Sequence, residues 1–397
     1  MKEIIVTGMG VLSTAGFELQ QFWENLMECR KYYGVLEDLK DDKNYRIKIG
    51  ARIQSDSWLK ELPQNMSKRY GQAACYSART AEKAIEDAGI DLSVIPKDRI
   101  AIIIGTTMGE IGVEEEITKK KCAGIEISPE LYYKYPSNKI VDAVKEVTKA
   151  EGNSFVVPAA CAAGNYAVSI AKKMLEWNQA DVVIAGGVDV FSSTAFAGFQ
   201  RLLSLDPLLC RPFDKNRRGL VIGEGCGMIV MERAGDRRTE QVYGKVLGAG
   251  LGSDAYHMTA LDKDGLGAMS SMQKALNDAQ VTACDIDYVS AHGTGTKLND
   301  FVESKSITNI FGGYATPVSS IKSYIGHSMG AASILELIAS FLMLRNQTIL
   351  PTINFETVDS EIEINHVANA PKKTELNCIL SNSFAFGGQS SSIIVSR

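Results

Sequence analysis

Short apolar runs punctuate the chain at Ile100–Ile104, Phe155–Val157, Val182–Ile184, Gly227–Met231, Tyr288–Ser290 and Cys378–Ser381, each of strand length and bounded by turn residues. Longer segments between them, Ala78–Ala88, Asn165–Trp177, Gly267–Ala279 and Ser333–Arg345, repeat their apolar positions at helical spacing. Near-continuous apolar strands belong to sheets covered on both faces, so the alternation predicts α/β layers with buried strands. The opening Met1-Lys-Glu-Ile-Ile-Val-Thr-Gly reads as a first strand and lacks the long apolar region of a signal peptide.

The pattern repeats itself weakly. Ala84-Ile-Glu-Asp-Ala88 precedes a strand running into Gly105-Thr106, and Ala275-Leu-Asn-Asp-Ala279 precedes one running into Gly293-Thr294, offsets of 191 and 188 residues. Small residues at Cys161–Gly164 open a helix ending at Asn178, and Gly330-Ala-Ala-Ser333 opens one ending at Asn346, an offset of 168. Two echoes in the same order predict two similar halves that meet at a shared site. The polar run Ala234-Gly-Asp-Arg-Arg238 marks their boundary, giving halves 1–236 and 237–397. The shrinking offset places extra residues in the first half. Glu110–Ala150, charged and rich in tyrosine (Tyr132, Tyr133, Tyr135), is the candidate, and it does not read as a core element.

Composition adds exclusions. With 42 basic and 47 acidic residues the net charge is −5, which disfavours nucleic acid as a partner, since phosphate neutralisation needs a basic face. The most apolar helical stretch, Ile334–Leu344, is 11 residues long and contains Glu336, too short to cross a membrane. A cytoplasmic protein is expected. None of the eight cysteines forms a C-x-x-C pair, so neither a zinc site nor a thioredoxin-like motif is predicted, and most should be small core residues.

Cys161 stands apart. Asn153-Ser-Phe-Val-Val-Pro-Ala-Ala-Cys161 is a strand followed by a sharp turn into a helix, and a cysteine there meets unsatisfied N–H groups that favour a thiolate. Locally, a small buried cysteine in a tight helix–sheet contact fits as well. The partners shift the balance. His292 lies on the Gly- and Thr-rich loop Ser290-Ala-His292-Gly-Thr-Gly-Thr-Lys-Leu-Asn-Asp300, Lys322 and His327 lie five residues apart before a helix, and Asn382-Ser-Phe-Ala-Phe386-Gly-Gly388 is a turn carrying two aromatics. Two of only four histidines thus occupy strand-end loops, where α/β proteins place their chemistry. His257 is less telling, and His366 reads as structural.

With these motifs the chain resembles the elongating (synthase I/II) β-ketoacyl-acyl carrier protein synthases and the related ketosynthases of type II polyketide systems. The likeness runs from Val6-Thr-Gly-Met-Gly-Val through Ala185-Gly-Gly and Arg211-Pro-Phe-Asp to Phe386-Gly-Gly. It implies the thiolase fold, two similar halves in a five-layered α-β-α-β-α arrangement. It also implies an acyltransferase that condenses an acyl group on Cys161 with malonyl-acyl carrier protein and loses CO₂. His292 and His327 would bind the malonyl thioester carbonyl, Lys322 would support His327 electrostatically, and Glu303 would be a supporting acid. The N–H groups of Cys161 and Phe386 would form an oxyanion hole, with Phe386 also a gate. Thr294 and Thr296 would hold the phosphopantetheine arm, Met108 and Phe199 would line the acyl tunnel, and Lys68-Arg69 would receive the carrier protein. No cofactor or metal is implied beyond the carrier's phosphopantetheine, on which the substrates travel. The family forms dimers through the strand beside the nucleophile, so a homodimer, or a heterodimer with a chain-length-factor-like subunit, is expected.

The chain departs from the family pattern at Arg218 and Leu220 (Asp and Phe are usual), Gly295 and Lys297 (Ser and Pro), Ala385 (Gly) and Gln389-Ser390 (Thr-Asn). A Cβ at 385 can slow a gate that Gly lets move. These changes favour a specialised polyketide or polyene pathway over bulk fatty-acid synthesis. The competing functional class is a structural subunit that shapes another synthase's pocket, and a non-decarboxylative thiolase is disfavoured by His327.

Overall fold

A computed structural model of the protein describes residues 2–397 apart from 56, 57, 59–61, 64, 237, 238, 240 and 313–315. Arg237 and Arg238 of the expected boundary therefore lie outside the described residues. Ten strands form the frame: β1 Ile4–Ser13, β2 Ile100–Gly105, β3 Ser154–Val157, β4 Val182–Asp189, β5 Gly225–Arg233, β6 Gly244–Ser253, β7 Tyr288–Ser290, β8 Pro317–Ser319, β9 Cys378–Phe384 and β10 Gln389–Ser396.

One mixed sheet runs β8-β7-β9-β10-β6-β1-β5-β4-β2-β3, with the two-residue strand Asn365–His366 beyond β8. Read outward from the join, the first half is ordered β1-β5-β4-β2-β3 and the second β6-β10-β9-β7-β8. Both halves pair in the same sense, two antiparallel ladders followed by two parallel ones. Within the sheet, Ile5–Lys245 and Val6–Gly244 join the two halves. The echo in the sequence is thus a duplication of topology.

Its physical basis is an interlock of glycine strands and alanine helices. Helix α1 (Gln72–Ala88) lies so close on β1 that a Cβ at Gly8 would stand 2.1 Å from the Ala84 carbonyl oxygen, and one at Gly10 2.2 Å from that of Thr80. Three further helices matter: α2 Ala163–Glu176, α3 Leu266–Ala279 and α4 Ala332–Asn346. On β6, Gly248 and Gly250 meet Ala275 and Ser271 of α3 in the same way, at 2.4 and 2.0 Å. Helices α2 and α4 pack against each other between the two half-sheets, while α1 and α3 cover the outer faces. The result is the α-β-α-β-α thiolase fold.

Two expectations change. The apolar segment at α4 is longer than the sequence pattern indicates: Met329–Asn346, 18 residues, has the length and composition of a membrane span and is 89% buried within the protein as the central helix. Within Glu110–Ala150, the helix Asn138–Thr148 does enter the core, burying Ile140, Val141, Ala143 and Val144, because its charges occupy only one face. Tyr132, Tyr133 and Tyr135 remain exposed.

Candidate active site

The ends of β3, β7, β8 and β9 converge where the halves meet. A 3-10 turn, Ala160–Ala162, carries buried Cys161 to the N-terminus of α2, with Ala160 held at φ +46°. From β9, the Ser383 hydroxyl donates to the Cys161 carbonyl at 3.0 Å and fixes the turn. Cys161 lines a cavity of about 220 Å³ together with His292, His327, Thr294, Thr296, Phe199, Leu220, Leu298, Phe384, Ala385 and Phe386. A larger cleft of about 1010 Å³, between Trp23, Lys83, Tyr243 and Arg345, holds none of the predicted site residues.

The two histidine rings stand edge to face, 5.3 Å between centroids. His327 is clamped through its backbone, its N–H donating to Val221 at 2.7 Å and its carbonyl accepting from Gly223 at 2.9 Å. The Met329 N–H donates to its Nδ1 at 3.2 Å, which leaves the ring proton on Nε2. His292 is held by Glu303, whose carboxylate accepts the N–H groups of His292 (2.7 Å) and Gly293 (2.8 Å). Burial holds both imidazoles well below the usual histidine range, and the nearby Lys322 charge lowers them further. They are neutral donors. Neither ring is therefore expected to take up a proton as pH is lowered through 6.5, read from the ¹⁵N shifts of the two imidazoles. A ring that charges near 6.5 would count against the neutral pair.

Lys322 adds to one expectation. Its ammonium contacts His292, donating to the carbonyl oxygen at 2.7 Å and lying 3.3 Å from Nδ1, and it pairs with Glu336 of α4. Its charge also acts on His327, in the electrostatic manner expected. Gly326, at φ +69°, turns the chain between the two side chains. Glu336, read from the sequence only as a charge in an apolar helix, is the missed member of the site. Burial pushes its carboxyl and that of Glu303 up to about 7, with Lys322 pulling each down.

Cys161 corrects another. Burial pushes its thiol up to about 12, against the pull of Lys322 and of backbone N–H, so the resting group is a thiol rather than the thiolate the helix terminus suggested.

Of the other predicted residues, Thr294 and Thr296 line the cavity with their hydroxyls 3.0 Å apart. Phe199 lies stacked on Phe386 at 5.6 Å. The Phe386 N–H has no acceptor among the described residues, as an oxyanion donor requires. Met108 does not line this cavity; its side chain packs against the first-half core. Lys68-Arg69 is also remote from the lining, and Arg69 is bound to Glu146 at 2.7 Å.

A duplicated thiolase fold with a cysteine and two neutral histidines at its seam defines a condensing enzyme. Residues 1–237 match the family description "Beta-ketoacyl synthase, N-terminal domain" and residues 243–356 match "Beta-ketoacyl synthase, C-terminal domain"; the chain belongs to the β-ketoacyl synthase family. It is 32% identical to the tetracenomycin polyketide synthase ketoacyl synthase alpha subunit of Streptomyces glaucescens, covering 100% of this chain and 97% of that protein. It is 30% identical to the 3-oxoacyl-[acyl-carrier-protein] synthase 2 of Coxiella burnetii, covering 100% and 99%. Among solved structures, the ishigamide ketosynthase/chain length factor superposes with a TM-score of 0.93 at 30% identity, covering 100% and 99%. The protein is an acyltransferase of the ketosynthase type.

Proposed function

We propose that this chain extends an acyl chain by two carbons from malonyl-acyl carrier protein, in three steps. The Cys161 thiol attacks the acyl-carrier thioester, its proton passes to the carrier sulfur, and the carrier thiol departs. The malonyl thioester then binds with its carbonyl oxygen facing the Nε2–H groups of His292 and His327. The C–CO₂ bond breaks, and its electron pair becomes an enolate held by those two donors. The enolate carbon attacks the acyl-cysteine carbonyl, whose oxygen charge falls to the N–H groups of Cys161 and Phe386. Collapse expels the Cys161 sulfur and releases β-ketoacyl carrier protein. Fixed neutral donors in a water-poor pocket stabilise that enolate better than reorganising water does.

One observation carries the reading: Cys161, His292 and His327 share one cavity, with both rings neutral and the His327 proton fixed on Nε2. A subunit that merely shaped another pocket would not need that arrangement. The test is mass spectrometry of carrier-bound products from acyl primers and malonyl-carrier protein, with and without a chain-length-factor-like subunit. A β-keto product longer by two carbons is expected, and its absence in both arms would overturn the proposal.

Leu220 and Ala385, two departures from the family pattern, both line the cavity, which supports a specialised polyketide or polyene acyl chain. Dimerisation, with a second copy or a chain-length-factor-like subunit, is proposed through β3. This strand ends the sheet with an open edge and exposes Phe155. Phe199 and Phe386, stacked on each other, both line the cavity. Because an aromatic pair contributes about 0.5–1.5 kcal/mol beyond its area, Phe386→Ala is expected to relax chain-length selectivity by roughly 2–10-fold, read as the ratio of kcat/KM for two primers.

A further inference from the structure

The duplication gives Cys161 a counterpart. The 3-10 turn Met329–Ala331 precedes α4 as Ala160–Ala162 precedes α2, and Met329 (φ +49°) repeats the left-handed backbone of Ala160 (φ +46°). At this offset of 169 residues the position mirroring Cys161 is Gly330. Its N–H does not face a substrate cavity. It donates at 2.6 Å to the carboxylate of Asp189, the last residue of β4.

Asp189 is fully buried and gathers three more donors: the Thr107 N–H at 2.9 Å, the Met108 N–H at 2.9 Å and the Thr106 hydroxyl at 2.8 Å. No cation accompanies it among the described residues. One carboxylate thus ties the loop after β2 to the turn before α4. That turn carries Met329, whose N–H sets the proton on His327. A Cβ at Gly330 would come 2.7 Å from an Asp189 oxygen and 2.8 Å from the Thr107 nitrogen, so the closure admits only glycine.

We infer that Asp189 is a positioning residue: it fills from within the chain the N–H nest that mirrors the nucleophile's, and so fixes the turn that keeps the His327 proton on Nε2. The inference rests on the reading that His327 donates from Nε2 to the malonyl thioester. Asp189→Asn is the sharpest perturbation, because it keeps the shape but turns an NH₂ towards groups that are themselves donors. Asp189 is not part of the cavity lining, and its charge helps hold the Cys161 thiol up, so loss of that charge should not slow acyl transfer to Cys161.

The experiment uses the full-length protein, with malonyl-N-acetylcysteamine as carrier-free probe for decarboxylation and an acyl-N-acetylcysteamine for acylation of Cys161. Misplacing one group by about 1 Å can cost up to about 100-fold. Asp189→Asn is expected to slow decarboxylation by a factor in that range with no loss of acylation. The four histidines make ¹⁵N-histidine spectra tractable, with His327→Asn giving the assignment. His327 should be protonated on Nε2 in the wild type and show a mixture of tautomers in Asp189→Asn. An unchanged tautomer together with an unchanged ratio of the two rates would overturn the inference, as would an Nδ1-protonated His327 in the wild type. Asp189→Ser is read in the same way if the asparagine variant does not fold. A wild type that neither decarboxylates nor acylates would refute the proposed reaction instead, since the tautomer reports on Asp189 independently of turnover.

Discussion

Cys161→Ala is expected to abolish carbon–carbon bond formation, by on the order of 10⁴-fold or more, while malonyl decarboxylation continues. In the proposed reaction the sulfur holds the acyl chain, whereas the enolate is held by the two imidazoles. The substitution removes one buried atom from a turn already built of alanines (Ala159, Ala160, Ala162 and Ala163), so the fold should tolerate it. Intact mass after exposure to an acyl donor should show an adduct on the wild type and none on the variant, with CO₂ release from malonyl-carrier protein persisting in both. An alanine variant that still elongates would sink the mechanism. Loss of both activities without a change in melting temperature would show that the sulfur also serves decarboxylation.

The second large effect falls on stability. Lys322 and Glu336 are each almost completely buried, at 1% and 2% side-chain exposure. Removing one partner of such a pair typically costs about 3–5 kcal/mol, because a charge is stranded away from water. Lys322→Met should therefore lower the unfolding midpoint sharply, and it also takes the ammonium away from the Nδ1 of His292. Replacing both partners by apolar residues of similar size, Lys322→Met with Glu336→Leu, should restore most of the stability and none of the decarboxylation. Denaturant unfolding of the two variants, beside their CO₂ release, separates the structural role of the pair from its chemical one. If Lys322→Met kept both its midpoint and its activity, the assignment would fail.

Much of this was legible in the sequence because the informative signals are local. The six apolar runs all became strands, and Cys161, His292 and His327 could be singled out because each lies on a small-residue turn at a strand end. The echo Ala84–Ala88 and Ala275–Ala279 was legible for a steric reason: glycines on β1 and β6 demand small residues on the helices above them. What escaped depends on long-range approach. Asp189 meets Gly330 from 141 residues away, and nothing beside it in sequence announces the encounter. Lys322 was matched to His327 through the family resemblance, and its contact with His292, 30 residues back, was not legible because it depends on the left-handed turn at Gly326. Cys161 was expected as a thiolate because a helix terminus is visible in sequence and the depth of burial is not.

The open edge at Ser154–Val157 also bears on how the protein behaves when nothing covers it. Unsatisfied N–H and C=O groups beside an exposed phenylalanine are a template on which further chains can add. If the proposed dimer partner is a chain-length-factor-like subunit, the chain produced alone should lose solubility as its concentration rises, and co-expression with that subunit should recover soluble yield before any turnover is measured.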